Sequence, residues 1–301
     1  MSARWAAGAV RSRGLLSRRL GRDRARRLAA SASLTAAVTA LGDTAYRERI
    51  RPGTDLTAAQ RAVAAELLWQ LRILAGWQPA AGARIIRCVA GWYEVDNIVG
   101  HARRLDGAPA APPYELGALD TAWSRVAVTT GPATMRAALA GSAWGDPGRP
   151  DAELDTRLRL VWARRVAATA AETDAWAAGA AAVVLARQRF LAGTAAWIPA
   201  ELLAGHRPDL SSWPAFTASL PPRAGWAVAG VAGPADLWRA EPAWWRRVEL
   251  DAASLARRGR PGPDALVGTV ALLAADARRV TAALELAARG GRPLEAFDAV
   301  V

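Results

Sequence analysis

Apolar residues in this chain recur at three- and four-residue intervals, and almost nowhere do they alternate with polar ones. In "TDLTAAQRAVAAELLWQLRILAG", residues 54–76, Leu56, Val63, Leu67, Leu71 and Leu74 fall on one helical stripe. Thr57 and Gln60 have capping-box spacing, and Thr54 or Asp55 serves equally well as the cap. The same reading gives helices near 14–29, 33–42, 82–104, 118–128, 132–141, 151–171, 173–192, 234–257 and 264–289. β-branched residues are sparse, so strand signals are nearly absent. The turns between helices are marked by "RPG" at 51–53, "DGAPAAPP" at 106–113, "GDPGRP" at 145–150, "LPPRAG" at 220–225 and "GRPGP" at 259–263. These are loops between packed helices rather than linkers. Pro242 is expected to begin or kink a helix. The expected fold class is all-α.

Hydrophobic residues make up 52% of the 301, enough to fill a sizeable core. The longest uncharged apolar run, "AWAAGAAAVVLA" at 175–186, is too short for a bilayer, which needs about 20 residues. A soluble or peripheral protein is expected. All 39 basic residues are arginine, a coding bias that discounts the high isoelectric point as a signal. Their placement is informative. Residues 1–27 hold Arg4, Arg11, Arg13, Arg18, Arg19, Arg22, Arg24, Arg26 and Arg27 against one acid, Asp23, and so carry most of the net charge of +12. Such a patch suits an acidic protein, anionic headgroups or nucleic acid, and also the plain alternative of a solvated helix face. Leu15, Leu16 and Leu20 offer it an apolar side for docking.

Catalytic chemistry finds little to stand on. His101 and His206 are the only histidines, and Cys88 is the only cysteine. A zinc cluster, a disulfide framework and a phosphate-binding loop with its lysine are therefore all out of reach. Cys88, between Ile85, Ile86, Val89 and Trp92, reads as a buried thiol, and His101 as a solvated or capping residue. No catalytic residue, cofactor site or metal site is expected. The one polar interruption of an apolar helix is "WYEVDNI", 92–98. Glu94 and Asp96 are two apart, so on a helix they point to different faces and suit acid–base work poorly. Asn97, buried, would need backbone or a neighbouring helix as partner. Arg103 and Arg104 could pair with Glu94 or Asp96 of their own helix or with acids elsewhere. The knot reads as a device that sets helix register, and the same pattern recurs at Glu172 and Asp174 in "ETD". A weaker copy, in 273–291, places Asp276 in the acidic position. A second landmark repeats without a gap at an offset of 98 residues: "ALGDTAY", 40–46, matches "ALAGSAW", 138–144.

The ordered set of these features resembles the family of the V-type ATPase d subunit and its counterpart in archaeal and bacterial A/V-type enzymes. That family opens with an arginine-rich helix, a Leu-Leu-Ser step and an "L..l...L.dT.Y" helix. Here these are "AVRSRGLLSRR", 9–19, and "ASLTAAVTALGDTAY", 32–46. An acid-x-x-Asn element follows at Glu94 and Asn97, then "YELGALD", 114–120, and a second helix of the first kind in "MRAALAGSAWG", 135–145. The close resembles "ADARRVTAALELAARGG", 275–291, with a short final segment "RPLEAFDAV", 292–300. The chain departs from the pattern at Trp144, Ala175 and Gly291. The resemblance implies one all-helical domain over 1–301, a funnel-like bundle of degenerate, pseudo-threefold repeats with approximate bounds 1–107, 108–193 and 194–301. It implies a non-catalytic central-stalk subunit on the cytoplasmic face of the membrane. Its partners would be the proteolipid ring and the central shaft, with no nucleic acid or small-molecule substrate, and its work would be to couple the two during proton or sodium transport. Arg11, Arg13, Arg18 and Arg19 are the candidate interface. A basic all-α nucleic-acid-binding protein is the alternative.

Overall fold

A computed structural model describes residues 3–148, 153–194, 207–258 and 260–301. They are helical, with no strand among the described residues. In chain order the first helices are α1 (Ala3–Leu16), α2 (Gly21–Ala29), α3 (Leu34–Ala40), α4 (Leu56–Gly76), α5 (Ala80–Leu105), α6 (Trp123–Val126) and α7 (Pro132–Ala140). The remainder are α8 (Leu154–Ala167), α9 (Asp174–Phe190), α10 (Trp213–Ser219), α11 (Pro222–Gly225), α12 (Ala240–Arg257), α13 (Pro263–Ala288) and α14 (Leu294–Val300). The chain divides into two compact units, one of residues 3–83 and 245–301 and the other of residues 84–244.

The first unit is built around α13. This helix buries residues on nearly all sides, from Leu266 through Val270, Leu273 and Val280 to Ala287, and packs against α1, α2, α3, α4 and α14. A helix apolar all round has to be a central one. Gly268 is obligatory here: a Cβ on it would sit 2.6 Å from the Ala252 carbonyl oxygen and 2.8 Å from the Ala256 nitrogen of α12. Asp55 caps α4 by accepting from the Ala58 amide at 2.8 Å, while Thr54 closes its own turn on the Arg51 carbonyl. Of the expected stripe, Val63, Leu67, Leu71 and Leu74 are buried and Leu56 is half-buried.

The second unit packs α8 against α9 and α9 against α11. The apolar run 175–186 belongs to α9, which is lined with small residues. There a Cβ on Gly179 would meet the Trp226 ring at 2.7 Å. No described helix is long and apolar enough to cross a membrane.

Several boundaries differ from the sequence reading. The helix expected over 14–29 is two helices, because α1 ends at Leu16 and α2 starts at Gly21, whose φ of 77° is left-handed. The helix expected over 118–128 is a 3-10 turn, Gly117–Leu119, followed by the single turn of α6. Residues 234–239 are 3-10 rather than α, and Pro242 lies in the first turn of α12. Of the helix expected over 151–171, residues 151 and 152 lie outside the described residues. Short helices α10 and α14 carried too little periodicity to be read.

The repeated landmark forms one and the same turn at both places. Thr44 Oγ1 donates to the Leu41 carbonyl at 2.6 Å and accepts from the Tyr46 amide at 3.2 Å. Ser142 Oγ donates to the Leu139 carbonyl at 2.7 Å and accepts from the Trp144 amide at 3.1 Å. Each hydroxyl thereby closes the end of a short helix, α3 or α7, and points the following ring inward. Tyr46 and Trp144 are both buried.

Candidate functional site: a basic surface and the carboxylates behind it

The N-terminal arginines sit on α1, α2 and the break between them. The apolar side expected to dock a partner is used within the unit's own core: Leu15 and Leu20 are buried and Leu16 is half-buried. What faces outward is charge. Arg13 and Arg18 are exposed, as are Arg22, Arg24 and Arg27, and none of the five has an ion pair among the described residues. Arg19 is half-buried and returns its Nε to the Leu16 carbonyl at 3.2 Å, so it finishes α1 rather than offering a free head. Arg11 is also half-buried, its Nε without a hydrogen-bond partner. Arg26 pairs with Asp298 at 3.0 Å across an exposed contact, an arrangement worth little to stability. The structure thus divides the expected set, keeping Arg13 and Arg18 as surface charge and adding Arg22, Arg24 and Arg27. Their exposure follows from α2, which buries only Ala25, Leu28 and Ala29.

The break between α1 and α2 is held from α13. Asp276, 3% exposed, accepts the Leu20 amide at 2.9 Å and the Gly21 amide at 2.8 Å. These amides open α2, and a carboxylate there satisfies donors the helix leaves orphaned and meets its positive dipole end. Glu94, on α5, does the same work in the second unit. Its side chain is fully buried, and Oε1 accepts from the amides of Thr121, Ala122 and Trp123 at 3.0, 2.6 and 2.8 Å, at the start of α6. Two acids on long central helices cap two short helices from outside.

Glu94 has a second relation. Its Oε2 and the Oδ1 of Asp120 are both buried without a donor. Burial pushes the Glu94 carboxyl up, against its three backbone bonds, and the neighbouring Asp120 adds to the rise. Burial also opposes charge on Asp120, but hydrogen bonds from Ser124, from Glu94 and from the Trp123 backbone together hold it below its ordinary value. A proton on Glu94 would supply the donor that Asp120 Oδ1 lacks.

Asp96 takes Nη2 of Arg159 at 2.5 Å, and the same guanidinium lies 3.7 Å from the centre of the Trp92 ring. Asn97 pairs with the backbone of Tyr114 in both directions. Nδ2 donates to its carbonyl at 2.8 Å, and Oδ1 accepts from its amide at 2.6 Å. Arg104 donates to the Ala111 carbonyl at 3.2 Å. Glu172 and Asp174 do not repeat the Glu94 arrangement. Glu172 is half-buried in a 3-10 turn ahead of α9, and Asp174 opens α9 with an ion pair to Arg223 at 2.8 Å. A three-letter match misled here because Glu94 acts from the middle of its helix. The counterpart of Glu94 in kind is Asp276.

His101 is buried rather than solvated, with Nε2 3.1 Å from the Thr129 carbonyl oxygen and 3.0 Å from its hydroxyl. Burial lowers its pKa, against the Thr129 bond, and the charge of Arg104 adds to the lowering. His206 lies outside the described residues. Cys88 is buried, with Thr169 Oγ1 donating to its sulfur at 3.1 Å. Among the described residues no group of three or more His, Cys, Asp and Glu is placed to hold a metal. No protein-family model matches the chain, and a search of curated proteins returns no match.

Proposed function

We propose that the chain is a non-catalytic central-stalk subunit of a V/A-type rotary ATPase. It would couple the rotating shaft to the membrane proteolipid ring during proton or sodium transport, from the cytoplasmic side. The reading rests on the ordered resemblance to the V-type d-subunit family. The observation that carries it is the turn built twice, at Thr44–Tyr46 and Ser142–Trp144, with the same two hydrogen bonds and the same buried ring. Exterior capping recurs at Glu94, in the first expected copy, and at Asp276, in the third, as a degenerate repeat allows. In this reading the fold is funnel-like and pseudo-threefold, with the third copy the most eroded. Arg13, Arg18, Arg22, Arg24 and Arg27 form the basic surface that meets acidic protein or headgroups. Charge on such a surface acts only on a close partner, because screening sets in within about 8–10 Å at physiological salt.

The test is co-expression of the tagged chain with the proteolipid and shaft subunits of its own genome. Co-purification of all three, weakened and made more salt-sensitive by Arg13→Gln, Arg18→Gln, Arg22→Gln and Arg24→Gln together, is the expected result. No association, with tight binding of duplex DNA at physiological salt, would replace it with the nucleic-acid alternative, which the same unpaired arginines favour.

A further inference from the structure

In the first unit, α14 packs against α2 and α13, and it is held there unevenly. Its seven residues are too few to be helical alone, since isolated helices shorter than about 12 residues are marginal in water. Packing therefore keeps it, and the packing is slight. Phe297 is buried, Leu294 and Val300 are half-buried, and Glu295, Ala296, Asp298 and Ala299 are exposed. The connection from α13 runs through Gly290 and Gly291, both left-handed. Gly291 presses onto the end of α2: a Cβ there would come within 2.5 Å of the Ser31 carbonyl oxygen. That contact fixes where α14 begins without holding its far end. Charge holds the rest. Asp298 accepts from Nε and Nη2 of Arg26, both at 3.0 Å, and the two side chains are about half exposed. The bond from Arg26 keeps the Asp298 carboxyl below its ordinary value, and the charge of Arg22 lowers it further. Glu295 adds to the attraction on Arg26. Arg22 and Arg26 are four apart on α2, and Glu295 and Asp298 are three apart on α14, so each pair shares one helix face.

One flank of the basic surface is thus already occupied, and the occupant is an acidic helix of the same chain. An exposed ion pair is a weak tie, readily exchanged for a like one from outside. We infer that α14 is a displaceable acidic strap, which holds the Arg22–Arg26 flank of α2 in the free chain and yields it to an acidic segment of a protein partner. The partner class follows from the present occupant: this flank takes a carboxylate from a helix, and a guanidinium fork matches a carboxylate two bonds at a time. An incoming segment with more acids than Glu295 and Asp298 also meets Arg24 and Arg27, which α14 leaves exposed, and so displaces it. Partner binding and strap closure are then linked, each weakening the other by the same factor. The inference rests on the basic surface proposed above, and names its partner class and the element that controls access to it.

The experiment uses the full chain with labelled poly-L-glutamate as the probe, and reads both the affinity and the hydrogen exchange of the amides of 294–300. Saturating polymer is expected to speed exchange in that segment. Asp298→Asn, which frees Arg26 and needs no repacking, should tighten polymer binding about two- to fivefold, the range of an exposed ion pair. Asp43→Asn makes the same change of charge at another exposed residue of the first unit, and should tighten it less. Phe297→Ala loosens the strap without altering charge, and should tighten binding at least as much as Asp298→Asn. Polymer binding that leaves exchange in 294–300 unchanged or slowed overturns the strap and leaves the basic surface standing. So does binding that Asp298→Asn tightens no more than Asp43→Asn does. Failure of the unmodified chain to bind the polymer, with duplex DNA or phosphatidylserine vesicles bound instead, overturns the acidic-protein partner and the strap with it.

Discussion

Glu94 offers the sharpest test of how this scaffold is held. Removing its carboxyl with Glu94→Ala takes an acceptor from three amides at the start of α6, of which Trp123 keeps Asp120. Ala122 is buried, so its donor loses its only partner, costing about 1–3 kcal/mol. Thr121 and Trp123 are half-buried and recover part of their loss from water, leaving about 1 kcal/mol for the missing cap. The vacated Cγ methylene adds about 1 kcal/mol. The sum, about 3–5 kcal/mol, is a large share of a domain stability of about 5–15 kcal/mol. Glu94→Gln separates the protonation states. If Glu94 carries a proton toward Asp120, the glutamine keeps Oε1 for the amides and offers an N–H in place of the O–H, and costs less than about 1 kcal/mol. The pH dependence has a definite sign. A carboxyl held above its unfolded value contributes fully below that value, about pH 4.3, and loses the contribution as pH rises through the folded value. The glutamine does not titrate, so the variant should gain on the wild type as pH rises from 4 to 8. Urea denaturation of the three proteins across that range measures both effects. Glu94→Gln as damaging as Glu94→Ala, with no pH-dependent gain, would refute the shared proton.

Asn97→Leu removes both bonds to the Tyr114 backbone. As that residue is half-buried, the expected loss is about 1–3 kcal/mol, read from the denaturation midpoint; an unchanged midpoint would mean water satisfies Tyr114 equally well. Gly268→Ala drives a methyl into the α12 backbone and should cost at least about 1–3 kcal/mol, whereas Gly14→Ala, with open space around it, should be tolerated in the same melting experiment. His101, its pKa depressed by burial, should contribute stability present above about pH 6.5 and lost as pH falls through its folded value. A His101→Gln variant whose stability runs parallel to the wild type between pH 7 and 5 would contradict this.

The sequence alone determined the fold class and most of the long helices, because periodicity at 3.6 residues is a local property that needs only a core to face. It also determined that Cys88 would be buried, that Asn97 would need backbone or a neighbouring helix as partner, and that Thr44 and Ser142 would serve alike, since the turn each closes lies within six residues. Tertiary structure decided where charge goes. Whether an acid in an apolar helix caps another helix, as Glu94 and Asp276 do, or holds an arginine, as Asp96 and Asp174 do, depends on what is packed opposite. The matching letters of "EVD" and "ETD" carry no information about that neighbour. For the same reason the sequence could show nine arginines near one end but not which are spent: Arg19 closes its own helix, Arg26 pairs with Asp298, and Leu15 and Leu20 turn inward. Apart from Arg19, whose partner lies three residues back, it is contacts between residues far apart in the chain that sort this basic segment into scaffold and surface, and such contacts exist only once the helices have packed.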